Sequence, residues 1–255
     1  MRRQRPEWRL ALAMALAVAA SACQATQDGE QAAPSETDRP PLGLMTSLPI
    51  YWGETAQISD LLDGSVQRHW VRDLLEENYA LVPLDVLGTT NGQPREDLAA
   101  LDHLIVAQPR ALTAADNVAL DRWVRKGGRL LLVLDPMMTE HSPYHIGDKR
   151  RFNDVALIPP LLDRWGLSFG YDKDAPPRQV PFGSTAIPAE EYGTLSLTTP
   201  SAEESCAMEA AGLVARCRIG AGQALIVADA AFLNQEGDRQ ANGQAADAVL
   251  AAAFD

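Results

Sequence analysis

The chain has 255 residues, 46% apolar and 22% charged, with a formal charge of −12. That length and apolar share allow one large domain or two small ones with a proper core, and exclude disorder throughout. Four arginines and one glutamate fall in the first 22 residues, so residues 23–255 carry −15; a surface of that sign repels phosphate backbones and argues against nucleic-acid partners.

At the N-terminus the basic segment MRRQRPEWR precedes the apolar run LALAMALAVAA and then SACQ, which is the layout of a secretory signal. The apolar run is too short for a comfortable membrane span. Ala20-Ser21-Ala22-Cys23 resembles the lipobox of bacterial lipoproteins, with Ala20 where Leu is commoner. Residues 1–22 then read as a lipoprotein signal peptide and Cys23 as the lipid-attachment residue that opens the mature chain. Ordinary cleavage with Cys23 incidental is the competing reading. Several acyl chains on one residue anchor firmly, where a single chain binds only marginally. The expected location is the periplasm, anchored to a bacterial membrane, and Gln24 in place of Asp points to the outer one. Residues 23–40 are polar, contain Pro and Gly and lack an apolar period, so they read as a flexible tether with a reach on the order of 20 to 25 Å.

Residues 41–255 read as a single α/β domain. LGLMTSLPIYW is a short apolar run ending in a loop. SDLLDGSVQRHWVRDLLEENY places Leu61, Leu62, Val66, Trp70, Val71, Leu74 and Leu75 at helical spacing, predicting one helix over 59–79. The strands ALVPLDVL and LDHLIVAQP follow, the second a compact run of the kind a central parallel strand shows. Thr113 and Asp116 mark a helix start, ALDRWVRK carries the helix on, and Gly127-Gly128 ends it before the strand RLLLVLD. VALIPPLLDRWG predicts a helix with prolines in its first turn and Gly166 at its end. TLSLT and GLVARCRIGAGQALIVAD read as strands and AADAVLAAAF as a closing helix. The alternation implies a mostly parallel sheet covered on both faces, with ligands beyond its C-terminal strand ends. With Ala211-Gly212 as a two-residue hairpin turn, Cys206 faces Cys217 across the strands, close enough for a disulfide in an oxidising compartment. Two buried free thiols are the alternative.

LDHLIVAQPRALTAADNVALDRWVRKGGRLLLVLDP resembles the core of the auxiliary components of ABC transport systems related to gliding-motility transporters. The shared pattern is Asp102, Pro109, Lys126-Gly127-Gly128-Arg129 and Asp135-Pro136; IPPLLDRWGLSFGYD and GAGQALIVADAAFLNQ are similar to later family segments. The resemblance implies a class I glutamine amidotransferase-like fold without known catalysis, and ABC permease and ATPase subunits as partners. Relatives commonly carry transmembrane segments, whereas this chain shows only the lipid-anchor signal.

Active amidotransferase-like chemistry needs a nucleophilic Cys on a strand-to-helix turn beside a His. No Cys lies near a strand end between residues 42 and 136, so no catalytic residue and no cofactor is assigned. Gly166-Leu167-Ser168-Phe169-Gly170 matches Gly-x-Ser-x-Gly, but a helix precedes it and a strand follows, the reverse of the hydrolase elbow. The candidate ligand or interaction loop holds Asp135, His141, His145, Asp148, Arg150 and Arg151, together with Glu140 and Lys149. His141 and His145 stand four apart, a spacing that on a helix aims both rings at one metal, which motivates a metal-dependent hydrolase at 135–148 as the alternative function. Pro143 between them speaks against a helix, and a solvated loop is the plainer reading; no metal is assigned. His69 and His103 are expected to be structural. The function expected is a non-catalytic periplasmic lipoprotein domain acting as an accessory or ligand-sensing component of an ABC-type transport system.

Overall fold

The computed structural model describes residues 39–55, 59, 63, 66–157, 159–198 and 204–255. The signal segment, Cys23, most of the tether, Leu61 and Leu62 lie outside the described residues. Strands β1 (Pro41–Thr46), β2 (Ala80–Pro83), β3 (His103–Ala107) and β4 (Arg129–Val133) join β9 (Glu204–Glu209), β10 (Val214–Ile219) and β11 (Gly222–Val227) in one seven-stranded sheet of order β2-β1-β3-β4-β11-β10-β9. The first five in that order run parallel; β10 and β9 are antiparallel additions. Parallel strands buried on both faces demand continuous apolar runs, and Leu130 to Leu134 and Leu225 to Ala228 are all buried. The mixed α/β class with a mostly parallel sheet and a C-terminal hairpin is therefore observed.

Helices α1 (Trp70–Asn78) and α5 (Arg239–Phe254) cover one face: Val71 and Leu75 from the first, Ala246 and Leu250 from the second, meet Leu44, Ile105, Leu131 and Val133. On the other face lie α2 (Glu96–Ala99) and α3 (Ala114–Arg125), where Leu101 lies against Gly43 and Trp123 packs on Gly128. The expected start of α3 is present as a full capping box. Thr113 accepts from Asp116 N, and the Asp116 carboxylate accepts from Thr113 and from the backbone N–H groups of Leu87 and Gly88. Burial pushes the Asp116 carboxyl up, but these hydrogen bonds prevail and hold it below its usual value. At the junction after α3 the backbones close tightly. A Cβ on Gly222 would stand 2.0 Å from Val124 O and 2.4 Å from Gly128 O, so only glycine fits.

Two helix expectations are corrected. The segment 59–79 is not one helix: residues 66–69 lie outside any helix, and His69, with extended backbone, caps α1 by accepting from Val71 N through Nδ1 at 3.3 Å. The helix expected from Val155 is only the four-residue α4 (Leu161–Arg164). Pro159 and Pro160 lack the N–H groups that would continue a helical ladder from Val155; Ala156 N instead donates to Asp135 O at 2.7 Å. Gly166 does end α4 with φ +75°, and Ser168 lies in strand β5 (Leu167–Tyr171), facing Ser196 of β8 (Gly193–Leu197) with 2.7 Å between hydroxyls. The elbow geometry is absent there. A second pair, β6 (Arg178–Phe182) with β7 (Thr185–Ala189), has no counterpart in the sequence reading.

Cys206 and Cys217 sit opposite each other in the β9–β10 register and form a disulfide, Cα to Cα 4.0 Å. The connecting turn has Ala211 at φ 53°, ψ 35° and Gly212 at φ 87°, with Leu213 N donating to Ala210 O. Both central residues are left-handed, as a type I′ hairpin requires.

Candidate functional site

In the parallel order β2-β1-β3-β4-β11, chain direction of travel reverses between β1 and β3, and ligands of such sheets bind beyond the strand ends at that switch point. Here the crevice is filled by the chain itself. Ser47, just after β1, donates to Gln108 O at 2.5 Å and accepts from Asn153 N at 3.0 Å; Asn153 Nδ2 donates to Pro109 O at 2.8 Å. Gln108, just after β3, is fully buried with φ 41°, a left-handed backbone that is costly for a non-glycine residue. Its side chain clasps Asp135 from both sides, accepting from Asp135 N at 2.9 Å and donating to Asp135 O at 3.0 Å. The Nε2 group also reaches Asn153 O at 2.9 Å.

Asp135 and Asp229 follow adjacent strands at equivalent positions, each two residues beyond the paired Val133 and Val227, and both are 0% exposed. Asp135 accepts from Met137 N at 2.8 Å and Ala230 N at 3.1 Å; Asp229 accepts from Ala231 N at 2.6 Å and Glu190 N at 2.8 Å. Burial lifts Asp135 to about 6, with the Glu191 charge adding to it. Asp229 rises well above its usual value through burial and the Asp135 charge. Two carboxyls joined by a hydrogen bond in a dry site titrate as a pair that shares a proton. Four backbone N–H groups from three loops thus converge on a buried acid pair that ties the strand ends together. Asp229, Gln108 and Asn153 were not singled out from the sequence. A signal for Asp229 was present: RLLLVLD and QALIVAD are both apolar runs ending in Asp.

The 136–151 loop contains no helix, so the four-residue spacing of its histidines has no helical meaning. His141 lines a small cleft of about 140 Å³ with Glu54, His69 and Glu140. Burial, more than any neighbour, raises Glu140 and Glu54, and Glu54 accepts from the Ser142 hydroxyl at 2.8 Å. His145 lies instead at the loop tip, beside Asp148. Among the described residues no three His, Cys, Asp or Glu side chains are grouped to hold a metal ion. The basic cluster is largely neutralised internally. Arg150 pairs with Asp148 at 2.7 Å and lies 4.3 Å over the Tyr144 ring; Arg151 pairs with Asp154 and donates to Tyr144 O at 2.8 Å. Those hydrogen bonds from Arg150 hold the half-buried Asp148 carboxyl well below its usual range. Of the six loop residues read from sequence, Asp135 is interior, Asp148, Arg150 and His145 share the tip, Arg151 braces its base, and His141 stands apart.

The fold and this edge define an α/β domain whose switch point is closed by its own side chains, with no free thiol among the described residues. The chain belongs to the family described as ABC-type uncharacterized transport system, whose model matches residues 39–180. No curated protein matches the sequence. Among solved structures, the exo-beta-1,4-mannosidase Op5Man5 from Opitutaceae bacterium strain TAV5 is 17% identical, with a TM-score of 0.49 over 85% of this chain and 36% of that one. The beta-galactosidase from Rahnella sp. R3 is 14% identical, with a TM-score of 0.43 over 84% and 31%. The chain thus spans about a third of the length of these enzymes, and likenesses at this level say nothing about activity.

Proposed function

We propose that this chain is a non-catalytic, lipid-anchored accessory or ligand-sensing component of an ABC-type transport system, held in the periplasm through Cys23 with residues 23–40 as its tether. The observation that carries the non-catalytic reading is the closed switch point, where Ser47, Gln108 and Asn153 bond to one another and the neighbouring acid pair is satisfied by backbone. The family supports the transport role. The disulfide supports an oxidising compartment such as the periplasm. Strand order supports a class I glutamine amidotransferase-like ancestry stripped of its nucleophile, and ABC permease and ATPase subunits are the partners of this reading.

Loops at the closed edge expose apolar side chains, Trp52 at 76% and Ile146 at 83%, which suits docking better than substrate turnover. Tyr144 donates through its hydroxyl to Thr55 O, so the two loops are joined. A photo-crosslinker installed at position 146 of the full-length protein in native membranes tests this. Covalent capture of a permease or ATPase subunit is expected; capture of neither, with the protein present at normal abundance, would count against the docking role.

A further inference from the structure

The loop tip that carries Ile146 presents a charge opposite to that of the chain. Four cations meet there. Arg110 donates from Nη2 to the carbonyl oxygens of Lys149 and Arg151, both at 3.1 Å, which holds its guanidinium against the tip. Arg151 is taken up by Asp154 and by the Tyr144 carbonyl, and Glu54, which accepts from the Ser142 hydroxyl, also faces Arg151. Arg150 pairs with Asp148, but the two are unequally open to solvent: the Arg150 side chain is 62% exposed and that of Asp148 14%. Lys149 is exposed and has no carboxylate partner among the described residues, and Arg110, also exposed, bonds to carbonyls alone. After internal pairing, the charge turned to solvent at the tip is therefore positive. Residues 23–255 as a whole carry −15. At physiological ionic strength that wider field is screened beyond about 8 Å, so a surface touching the tip meets the local sign.

The tip is also held in shape. Asp148 N donates to His145 O and Arg151 N to Asp148 O, both at 3.1 Å, and the Asp148 carboxylate accepts from Arg150 N at 2.9 Å. Ile146, 83% exposed, stands out from this braced turn as an apolar knob. A fluid bilayer takes an apolar side chain in any orientation, so a knob fixed in advance gains most against a folded surface with a matching recess.

We infer that the partner surface docking here is acidic: a protein face whose carboxylates meet Arg110, Lys149 and Arg150 around an apolar recess that receives Ile146. The inference rests on the docking role proposed above and gives that partner its chemistry.

The test installs a photo-crosslinker at position 146 of the full-length protein in native membranes and compares capture in the parent sequence, Lys149→Glu and Arg218→Glu, with the captured peptide sequenced. Lys149 has no ion pair to lose, so its reversal leaves the fold intact. Arg218→Glu changes the net charge equally at the opposite edge of the sheet, where β10 pairs with the first residues of β11. The captured segment should carry several Asp or Glu residues. Capture should fall at least about fivefold in Lys149→Glu, because an attraction becomes a like-charge juxtaposition, and stay at the parent level in Arg218→Glu. Capture unchanged by Lys149→Glu, lowered equally by Arg218→Glu, or mapping to a segment without carboxylates overturns the inference and leaves the docking role standing. Label on lipid alone assigns the tip to a bilayer, and no capture at all removes docking; either outcome removes the inference as well.

Discussion

His69 and the Asp135–Asp229 pair titrate in the same pH window with opposite consequences for stability. Burial, reinforced by the Arg239 charge against a smaller opposing pull from Asp73, lowers His69 to about 4, and its neutral Nδ1 is the acceptor that caps α1. Its contribution is complete above the unfolded value of about 6.5 and is lost as pH falls through about 4. The acid pair behaves in reverse. Asp135, raised by burial to about 6, contributes fully below about 4 and loses that contribution as pH rises through about 6, and Asp229, raised well above its usual value, adds to the loss. Between about pH 4 and 6 the two oppose each other, so the parent protein's profile there should be shallower than either effect alone would give. Asp229→Asn removes one slope. It also gives up one backbone hydrogen bond, so the difference in unfolding free energy between variant and parent is the informative quantity. Measured by urea denaturation, that difference should move in favour of the variant as pH rises from about 4 to above 6; a constant difference would show that the pair does not share a proton as described.

Among the elements, the edge hairpin carries the clearest dependence on a single bond. β9 is the last strand of the sheet, and an unsecured edge is a template for pairing with other chains. Its disulfide closes a short loop, with a sequence separation of 11, and should contribute about 2–3 kcal/mol. Cys206→Ser with Cys217→Ser is expected to lower the denaturation midpoint accordingly and to open residues 204–213 to protease. Equal stability and protection in the double variant would contradict this. The hairpin register was legible in the sequence because turn residues and cysteine spacing are local, and so was α3, through Thr113 and Asp116. Features that depend on long-range order were not. QALIVAD and RLLLVLD become neighbours only once β11 inserts beside β4, which pairs Asp229 with Asp135. The β6–β7 hairpin was hidden by Pro181 and Pro188, which weaken a strand pattern although such edge positions tolerate proline. In the segment before α1, helical spacing continued through Val66 while the backbone did not, because the His69 side chain supplies the cap that starts the helix at Trp70.

At the scale of the whole molecule, sheet order brings the ends of β1, β3, β4 and β11 to one edge, where an enzyme of this architecture would place its reacting groups. Here those ends carry Ser47, Gln108, Asp135 and Asp229, joined to one another or to backbone, while apolar loop residues point outward. The same edge exposes Trp52 and Ile146 on the loops beyond it, the face that the proposed function assigns to docking. Under the proposed function, lipidation of Cys23 and a tether over residues 23–40 with a reach on the order of 20 to 25 Å would keep the acidic domain within reach of membrane-embedded partners. The most direct measurement is affinity purification of the full-length protein, Cys23 intact, from detergent-solubilised membranes, with co-purifying proteins quantified by mass spectrometry. The account predicts an ABC permease and ATPase in stoichiometric amounts, lost in Cys23→Ser. Recovery of the protein alone from membranes that contain such a transporter would contradict it.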